Sequence, residues 1–207
     1  MGDFICRWYD TTCFAVSYGG ADPVPEPPPL PPTPSALFVG RLAEDTSIML
    51  YLDALVALRQ DYGRRLSLTV VGDGPLRVPA ERYAEAQGLS VRFLGSVPQP
   101  GTLLGEAQLA FVSGYLAIWQ AMAYRRLVFA VYDNELKRDY LLGFPEAKET
   151  MVIAGGPADL AAELNRHLAD PAAGNSMRER AARLAAEHTW DRVADLYLDM
   201  YRAHGIT

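Results

Sequence analysis

The strongest constraint on the fold is a regular alternation of short apolar runs with segments of helical spacing from residue 36 onward. The apolar runs, several of which end in glycine, lie at 36–40, 66–72, 91–95, 109–113, 127–132 and 151–154. Segments with helical spacing lie between and after them, at 45–61, 79–87, 116–124, 157–169, 176–187 and 190–203. Strands that alternate with helices form parallel sheets through right-handed crossovers. The sequence therefore predicts an α/β fold, a single doubly wound parallel sheet with helices on both faces.

Local signals predict several element ends. Gly88 suits a left-handed helix C-cap, and Ser176 is a candidate N-cap for the helix that follows it. A helical turn is expected at 100–106, and the stretch between 132 and 151 is expected to be irregular.

A proline-rich segment divides the chain. Eight of the twelve residues from Pro23 to Pro34 are proline, which has no backbone N–H and a fixed φ, so the segment must be extended. We predict an N-terminal strand segment at 1–22 with its strand at 13–18, a proline-rich linker at 23–35, and a Rossmann-like domain at 36–207. A stiff linker or strap is favoured over a ligand for an aromatic-lined groove.

Charge and composition exclude several classes of function. The net charge is −6 and no basic patch occurs, so neither nucleic acid nor an anionic membrane surface is an expected partner. No apolar run approaches the roughly 18 residues of a membrane span. The first ten residues carry charges where a signal peptide would be apolar, so a cytoplasmic protein is expected. Cys6 and Cys13 are then two free thiols rather than one disulfide.

The candidate site follows from the fold, because parallel sheets bind ligands at the carboxyl ends of their strands. The loops expected there are Gly40-Arg41, Gly72-Asp73-Gly74-Pro75, Gly95 to Pro98 and Ser113-Gly114-Tyr115. Arg41 is either a bidentate phosphate ligand or a solvated surface arginine. Backbone N–H groups after Gly114 open a helix and can hold an anion. Gln120, on that helix, either bonds a ligand hydroxyl or faces solvent.

Catalytic motifs are scarce, and no catalytic residue can be named. Residues 72–77 are not a dinucleotide fingerprint, since Arg77 stands where a third glycine belongs, and no P-loop or nucleophile elbow occurs. The three histidines are interpreted as surface or helix-end residues, and no metal site is expected. The acidic residues between 133 and 149 are interpreted as a solvated loop. The histidines are His167, His188 and His204, and the acidic residues are Asp133, Glu135, Asp139, Glu146 and Glu149.

Taken together, the motifs resemble the C-terminal, donor-binding domain of family-4 glycosyltransferases with the GT-B fold. The matching segments are FVGRL (38–42), VVGDGPLR (70–77), VRFLGSVP (91–98), QAMAYRRLVFA (120–130) and HTWDRVADLYLDMY (188–201). Their order and spacing agree with the family from about residue 13 to residue 204.

The resemblance implies a donor site. The arginine matching Arg41 binds the donor diphosphate in that family, and the loop matching Val97-Pro98 contacts the base. The loop matching Gly114, Tyr115 and Leu116 gives backbone N–H groups to the phosphates, and Gln120 takes the place of the glutamate that holds the ribose. The implied donor-binding set also includes Gly40, Gly72, Asp73 and Gly74. The implied reaction is retaining transfer of a sugar from a nucleotide-sugar to an acceptor hydroxyl, with no metal or other cofactor.

This sequence departs from the family at three points. The family's phosphate-binding lysine falls on Thr46, one of its paired glutamates is replaced by Gln120, and the other has no counterpart. The chain is also too short for two domains of ordinary size, so we expect it to lack the acceptor half. Segments that would join this half are expected to expose the apolar residues Trp8, Phe14, Trp190, Tyr197 and Tyr201. A partner is then expected there, either an acceptor-domain protein or a second copy of the chain.

Three functions remain open. The first is a glycosyltransferase donor domain that needs an acceptor domain in trans. The second is a non-catalytic remnant that binds a nucleotide or a partner protein. A nucleotide-sugar epimerase, which shares the GT-B fold but also needs both domains, is less favoured.

Overall fold

A computed structural model describes residues 17–203 of the 207-residue chain. The strands of this part are Ser35–Val39 (β1), Ser67–Val71 (β2), Val91–Gly95 (β3), Leu109–Phe111 (β4), Leu127–Val131 (β5) and Met151–Ala154 (β6). Its α-helices are Ile48–Tyr62 (α1), Arg77–Ala86 (α2), Tyr115–Ala123 (α3), Glu135–Leu142 (α4), Ala147–Thr150 (α5), Pro157–Ala169 (α6), Asn175–Glu187 (α7) and Trp190–Ala203 (α8). Short 3₁₀ helices lie at Glu44–Thr46, Pro100–Glu106 and Pro171–Gly174.

The six strands form one parallel sheet in the order β3-β2-β1-β4-β5-β6, with helices on both faces. This confirms the predicted doubly wound α/β fold. The chain runs outward from β1 to β3 and then returns to place β4 on the other side of β1. Because the direction of winding reverses there, the loops after β1 and β4 diverge and leave a crevice at the carboxyl ends of these two strands.

Two apolar cores, one on each face, hold the helices against the sheet. Alternate residues of a strand point to opposite faces, so Phe38 packs with α1, α2 and α6, while Leu37 packs with α3, α4 and α7. Tyr51 of α1 stacks on Phe111 with ring centroids 4.9 Å apart, and its hydroxyl donates to the carbonyl of Phe129 at 3.0 Å. This buried contact ties α1 to the middle of the sheet.

The stretch expected to be irregular contains two helices, α4 and α5. Asn134 caps α4, since its side-chain oxygen accepts the N–H of Lys137 at 2.9 Å. The prediction of an acidic loop was therefore wrong, because much of this stretch is helical. Its five acidic side chains are exposed to solvent, as predicted. The apolar pattern of α4 covers few residues and is interrupted by charged ones, so periodicity alone did not predict this helix.

The predicted N-cap at Ser176 was also wrong. Helix α7 begins at Asn175, directly after the 3₁₀ helix Pro171–Gly174, and Gly174 occupies the N-cap position without a side-chain hydrogen bond. In contrast, Gly88 follows α2 with φ +59°, as its predicted left-handed conformation requires.

The proline segment, residues 23–34, forms no helix or strand and lies against the domain. Arg126 donates to the carbonyl of Pro28 at 2.6 Å, and the amide of Gln108 donates to the carbonyl of Pro31. Just before it, Ala21 pairs with Thr189, and its N–H donates to the carbonyl of His188 at 3.0 Å. Most of the strand predicted at 13–18 lies outside the described residues. Among those described, no helix combines the length and apolar character needed to cross a membrane.

Candidate functional site

A cavity of about 390 Å³ lies at the crevice between the loops after β1 and β4. We call it the strand-end cavity. Its lining residues are Phe38, Val39, Gly40, Thr46, Ser113, Gly114, Tyr115, Leu116, Ala117 and Tyr140. It therefore brings together Gly40, Gly114, Tyr115 and Leu116, four of the residues that the sequence predicted for the donor site.

Arg41 lies on the β1 loop next to this cavity and is 65% exposed. Its guanidinium pairs with the carboxylate of Asp45 at 2.8 Å. Thr46 turns inward instead, and its hydroxyl donates to the carbonyl of Ala43 at 2.8 Å and to that of Arg41. The loop thus presents one exposed cation, while the position of the missing lysine is neutral and bonded to its own loop.

The Gly72-Asp73-Gly74 turn packs against the β1 loop from the side of β2. The carbonyl of Asp73 accepts the N–H of Leu42 at 2.9 Å. The Asp73 carboxylate accepts the N–H of Gly74 at 2.8 Å and pairs with Arg77 at 2.9 Å. These two hydrogen bonds, that from Gly74 first, lower the pKa of Asp73. All of these contacts are internal, so the turn supports the β1 loop.

The first turn of α3 borders the cavity. The N–H of Tyr115 donates to the hydroxyl of Tyr140 at 3.0 Å, and the two rings stack with centroids 4.1 Å apart. The N–H groups of Leu116 and Ala117 have no acceptor within their own helix, and the rest of the described chain supplies none. Two donors at a helix N-terminus therefore face the cavity region, where the helix dipole favours an anion.

Lys137 of α4 brings a second cation to the same place. Its half-buried ammonium donates to the carbonyl of Ser113 at 2.9 Å and to that of Asp45 at 3.1 Å. It also lies 4.9 Å from the centroid of the Tyr140 ring. Burial lowers the pKa of Lys137. Sequence reasoning missed Lys137 and Tyr140, although Asn134 was a signal for a helix start three residues earlier.

Gln120 lies apart from the strand-end cavity, on a second cavity of about 400 Å³. That cavity is also lined by Asp22 and Pro23 and by the loop from Gln99 to Thr102, which follows β3. Val97, in the same loop, is half-buried and packs on the α3 side of the sheet. The structure thus places the predicted phosphate-binding residues and the predicted ribose-binding residue in two separate depressions.

The described histidines are structural in their contacts. His167, expected at the surface, is buried, and its Nδ1 lies 2.9 Å from the carbonyl of Glu163. His188 ends α7 and stacks on Trp119 with centroids 4.6 Å apart. His204 lies outside the described residues. Within residues 17–203 no three His, Cys, Asp or Glu side chains gather as a metal ion would require.

The sequence matches a known protein family. A family model described as "Glycosyl transferases group 1" matches residues 33–170. The chain is 24% identical over 188 residues to the alpha-D-kanosaminyltransferase of Streptomyces kanamyceticus, an alignment that covers 84% of this chain and 46% of that protein. The chain therefore spans about half the length of this curated relative.

Solved structures share the fold. The pneumococcal O-GlcNAc transferase GtfA, in complex with UDP and GlcNAc, superposes with a TM-score of 0.74 at 9% identity, over 98% of this chain and 42% of that one. The C-terminal domain of a group 1 glycosyl transferase (LpcC) from Francisella tularensis superposes with a TM-score of 0.62 at 14% identity, over 84% of this chain and 97% of that one. At these identities the likeness concerns the fold.

Proposed function

Because the chain belongs to the family of group 1 glycosyl transferases and has the fold of a GT-B C-terminal domain, we propose that it binds a nucleotide-sugar donor. The reaction is retaining transfer of the sugar to an acceptor hydroxyl. The observation that carries the proposal is the strand-end cavity, which adjoins Arg41 and the free N–H groups at the start of α3.

The diphosphate of the donor lies in this cavity. Arg41 exchanges the Asp45 carboxylate for a phosphate, and the exchange costs little because an exposed ion pair is worth about 0–1 kcal/mol. The N–H groups of Leu116 and Ala117 bind the same anion at the helix N-terminus. As the glycosidic bond breaks, charge develops on the leaving diphosphate, and fixed donors stabilise it there. The protein's own cations take this role, so no metal is needed.

The nucleoside extends toward the loop after β3. Val97 and the cavity beside Gln120 lie in that direction, and an amide side chain can bond a ribose hydroxyl as donor or acceptor. UDP is the first nucleotide to test, because the pneumococcal structure contains UDP.

The acceptor is bound by another domain or another chain. This chain corresponds to only 46% of its curated relative, and helix α8 has no buried residue among those described. Trp190, Tyr197 and Tyr201 on α8 are 44–50% exposed, and this apolar surface is where the acceptor half packs.

The donor site is tested by calorimetric titration of the chain with UDP, GDP and the nucleotide-sugars that contain them. Replacing Arg41 by Ala removes one charged hydrogen bond to phosphate, worth about 1.5–3 kcal/mol, so we expect about ten- to hundredfold weaker binding of the nucleoside diphosphate. Because Arg41 is exposed, the unfolding midpoint of the Arg41→Ala variant should match that of the parent chain.

The matched control is Arg82→Ala, which removes the same charge from an exposed site on α2. Its affinity for the diphosphate should equal that of the parent chain. Equal affinity of the Arg41 variant and the parent would contradict the role of Arg41, and a chain that binds neither nucleotide would contradict the donor site.

A second candidate function is a non-catalytic domain that binds a nucleotide or a partner protein. One observation favours it: the hydroxyl of Tyr140 already accepts the first N–H of α3, where a phosphate would bind. Replacing Tyr140 by Phe distinguishes a domain that binds the donor from one that binds only a partner protein. The former should then bind UDP at least as well as before, whereas the latter should bind UDP neither before nor after the substitution.

A further inference from the structure

Lysine is rare in this chain. Lys137 and Lys148 are its only lysines among 207 residues, while all other fixed cations are arginines. Lys148 is exposed, whereas Lys137 is half-buried and bonds the carbonyl of Ser113, which lines the strand-end cavity. An ammonium is a compact point charge that fits between two backbone carbonyls where a planar guanidinium does not. The contacts of Lys137 with these carbonyls therefore depend on the shape of the ammonium group as well as on its charge.

No carboxylate among the described residues forms a salt bridge with Lys137, although those of Asp45 and Asp133 are close enough to attract its charge. The nearby carboxylate of Asp45 is bonded to Arg41, and that of Asp133 accepts the amide of Asn134 at 2.7 Å. Lys137 bonds two neutral carbonyls instead, which leaves the third of its N–H donors free. Burial of the ammonium outweighs the attraction of those two carboxylates and lowers the pKa of Lys137, so its charge is only partly compensated. An anion in the cavity would add opposite charge.

The cavity has its donors on two sides. Ser113, whose carbonyl accepts the Lys137 ammonium, lines the cavity and is followed directly by Gly114 and the first turn of α3. The N–H groups of Leu116 and Ala117 approach from that turn. Thr46, on the β1 side, is neutral and is bonded to its own loop.

We propose that Lys137 is a diphosphate-binding residue, which supplies from α4 the second cation that the β1 loop lacks. The diphosphate lies between the Lys137 ammonium and the first turn of α3, with Arg41 at the open side. The identity of this ligand as a nucleotide-sugar donor rests on the function proposed above, but the recognition of a diphosphate by Lys137 is tested without it.

The first experiment needs no substitution. The parent chain is acetylated with a lysine-specific reagent in the presence and absence of pyrophosphate or UDP, and the two lysines are quantified separately by mass spectrometry. Either ligand should slow modification of Lys137 several-fold and leave Lys148, the internal control, unchanged. Modification of Lys137 at the same rate with and without both ligands would overturn the proposal.

The second experiment compares Lys137→Met with Arg138→Met. The latter removes an equal charge from the next residue, an arginine whose side chain is 43% exposed and pairs with Asp139 at 3.2 Å. Lys137→Met should weaken binding of UDP and of pyrophosphate about ten- to hundredfold, with the affinity for uridine unchanged. Arg138→Met should bind all three as the parent does. Adding Thr46→Lys to Lys137→Met should restore much of the lost affinity, because position 46 lines the same cavity.

The outcomes separate this inference from the proposed function. If the parent binds UDP and Lys137→Met binds it equally well, the role of Lys137 is wrong and the donor site stands. If pyrophosphate binds and protects Lys137 while no nucleotide adds affinity, the role of Lys137 stands and the nucleotide-sugar function is wrong. Equal loss of uridine and UDP affinity in a variant that still folds would show that Lys137 only holds the loops together, which also overturns the inference.

Discussion

At the scale of single residues, the glycines of the Gly72-Asp73-Gly74 turn are required by the protein itself. A Cβ at Gly72, where φ is +138°, would lie 1.9 Å from the carbonyl oxygen of Gly40. A Cβ at Gly74, where φ is +157°, would lie 2.4 Å from that of Leu42. The turn therefore approaches the β1 loop more closely than any side chain permits, and it supports that loop next to the candidate site.

Replacing Gly72 by Ala should destabilise the domain by about 3 kcal/mol, because backbone strain and a clash with backbone add together. The matched control is Gly63→Ala, since Gly63 also has a positive φ, of +64°, but has open space around its Cβ position. That variant should cost only about 1 kcal/mol. The free energies of unfolding come from urea titration, and equal values for the two variants would contradict the close approach.

At the scale of elements, the proline segment is fastened to the sheet by one buried arginine. Arg126, at 1% exposure, donates to the carbonyls of Leu104 at 2.8 Å, Gly105 at 3.3 Å and Pro28 at 2.6 Å. Proline carbonyls are free to accept such bonds because an extended segment makes none of its own. The same residue therefore joins the segment, the 3₁₀ helix after β3 and the start of β5.

Replacing Arg126 by Met should lower the free energy of unfolding by about 3 kcal/mol, because three carbonyls lose a charged donor. Limited proteolysis should also cut within residues 23–34 sooner than in the parent chain. Arg125→Met is the control: the exposed Arg125 pairs with Glu179 at 3.7 Å, and its loss should cost about 0.5 kcal/mol or less. If Arg126→Met is as stable and as resistant to proteolysis as Arg125→Met, the proline segment does not depend on this contact.

At the scale of the whole molecule, one helix lies outside both cores. Every other α-helix buries at least two residues or a large apolar side chain against the sheet or a neighbouring helix, whereas α8 buries none of its described residues. Tyr197, Leu198 and Tyr201 are all close to half exposed. A helix with an unburied apolar side is typical of an interface, because leaving that side in water is unfavourable.

Replacing Tyr197 and Tyr201 together by Ser should therefore change the free energy of unfolding of the monomer by less than about 1 kcal/mol. Leu164→Ala on α6, where the side chain is fully buried, should cost about 2–5 kcal/mol. Sedimentation velocity adds the oligomeric state: if α8 joins two copies, the parent chain dimerises and the double variant is monomeric. A large loss of stability in a monomeric double variant would mean that the chain itself covers this surface.

The sequence by itself determined most of the architecture. Apolar runs of four to seven residues that alternate with helical segments are typical of buried strands, and all six of these runs contribute a strand to the sheet. The parallel direction of the strands follows, because each strand is joined to the next one along the chain by a crossover connection. The position of the candidate cavity follows too, since Gly40 and Gly114 both line it beside β1 and β4.

Only the tertiary structure decided which side chains meet there. Lys137 lies beside the cavity because α4 brings its ammonium to the carbonyl of Ser113. Gln120 lies apart from the cavity because it is beyond the first turn of α3. The proline segment has no periodicity that would predict where its carbonyls bond, yet Arg126 holds it in place. The physical reason is that a local sequence pattern indicates only burial and turn geometry within its own segment. Contacts between loops depend on strand register and helix packing, which no single segment encodes.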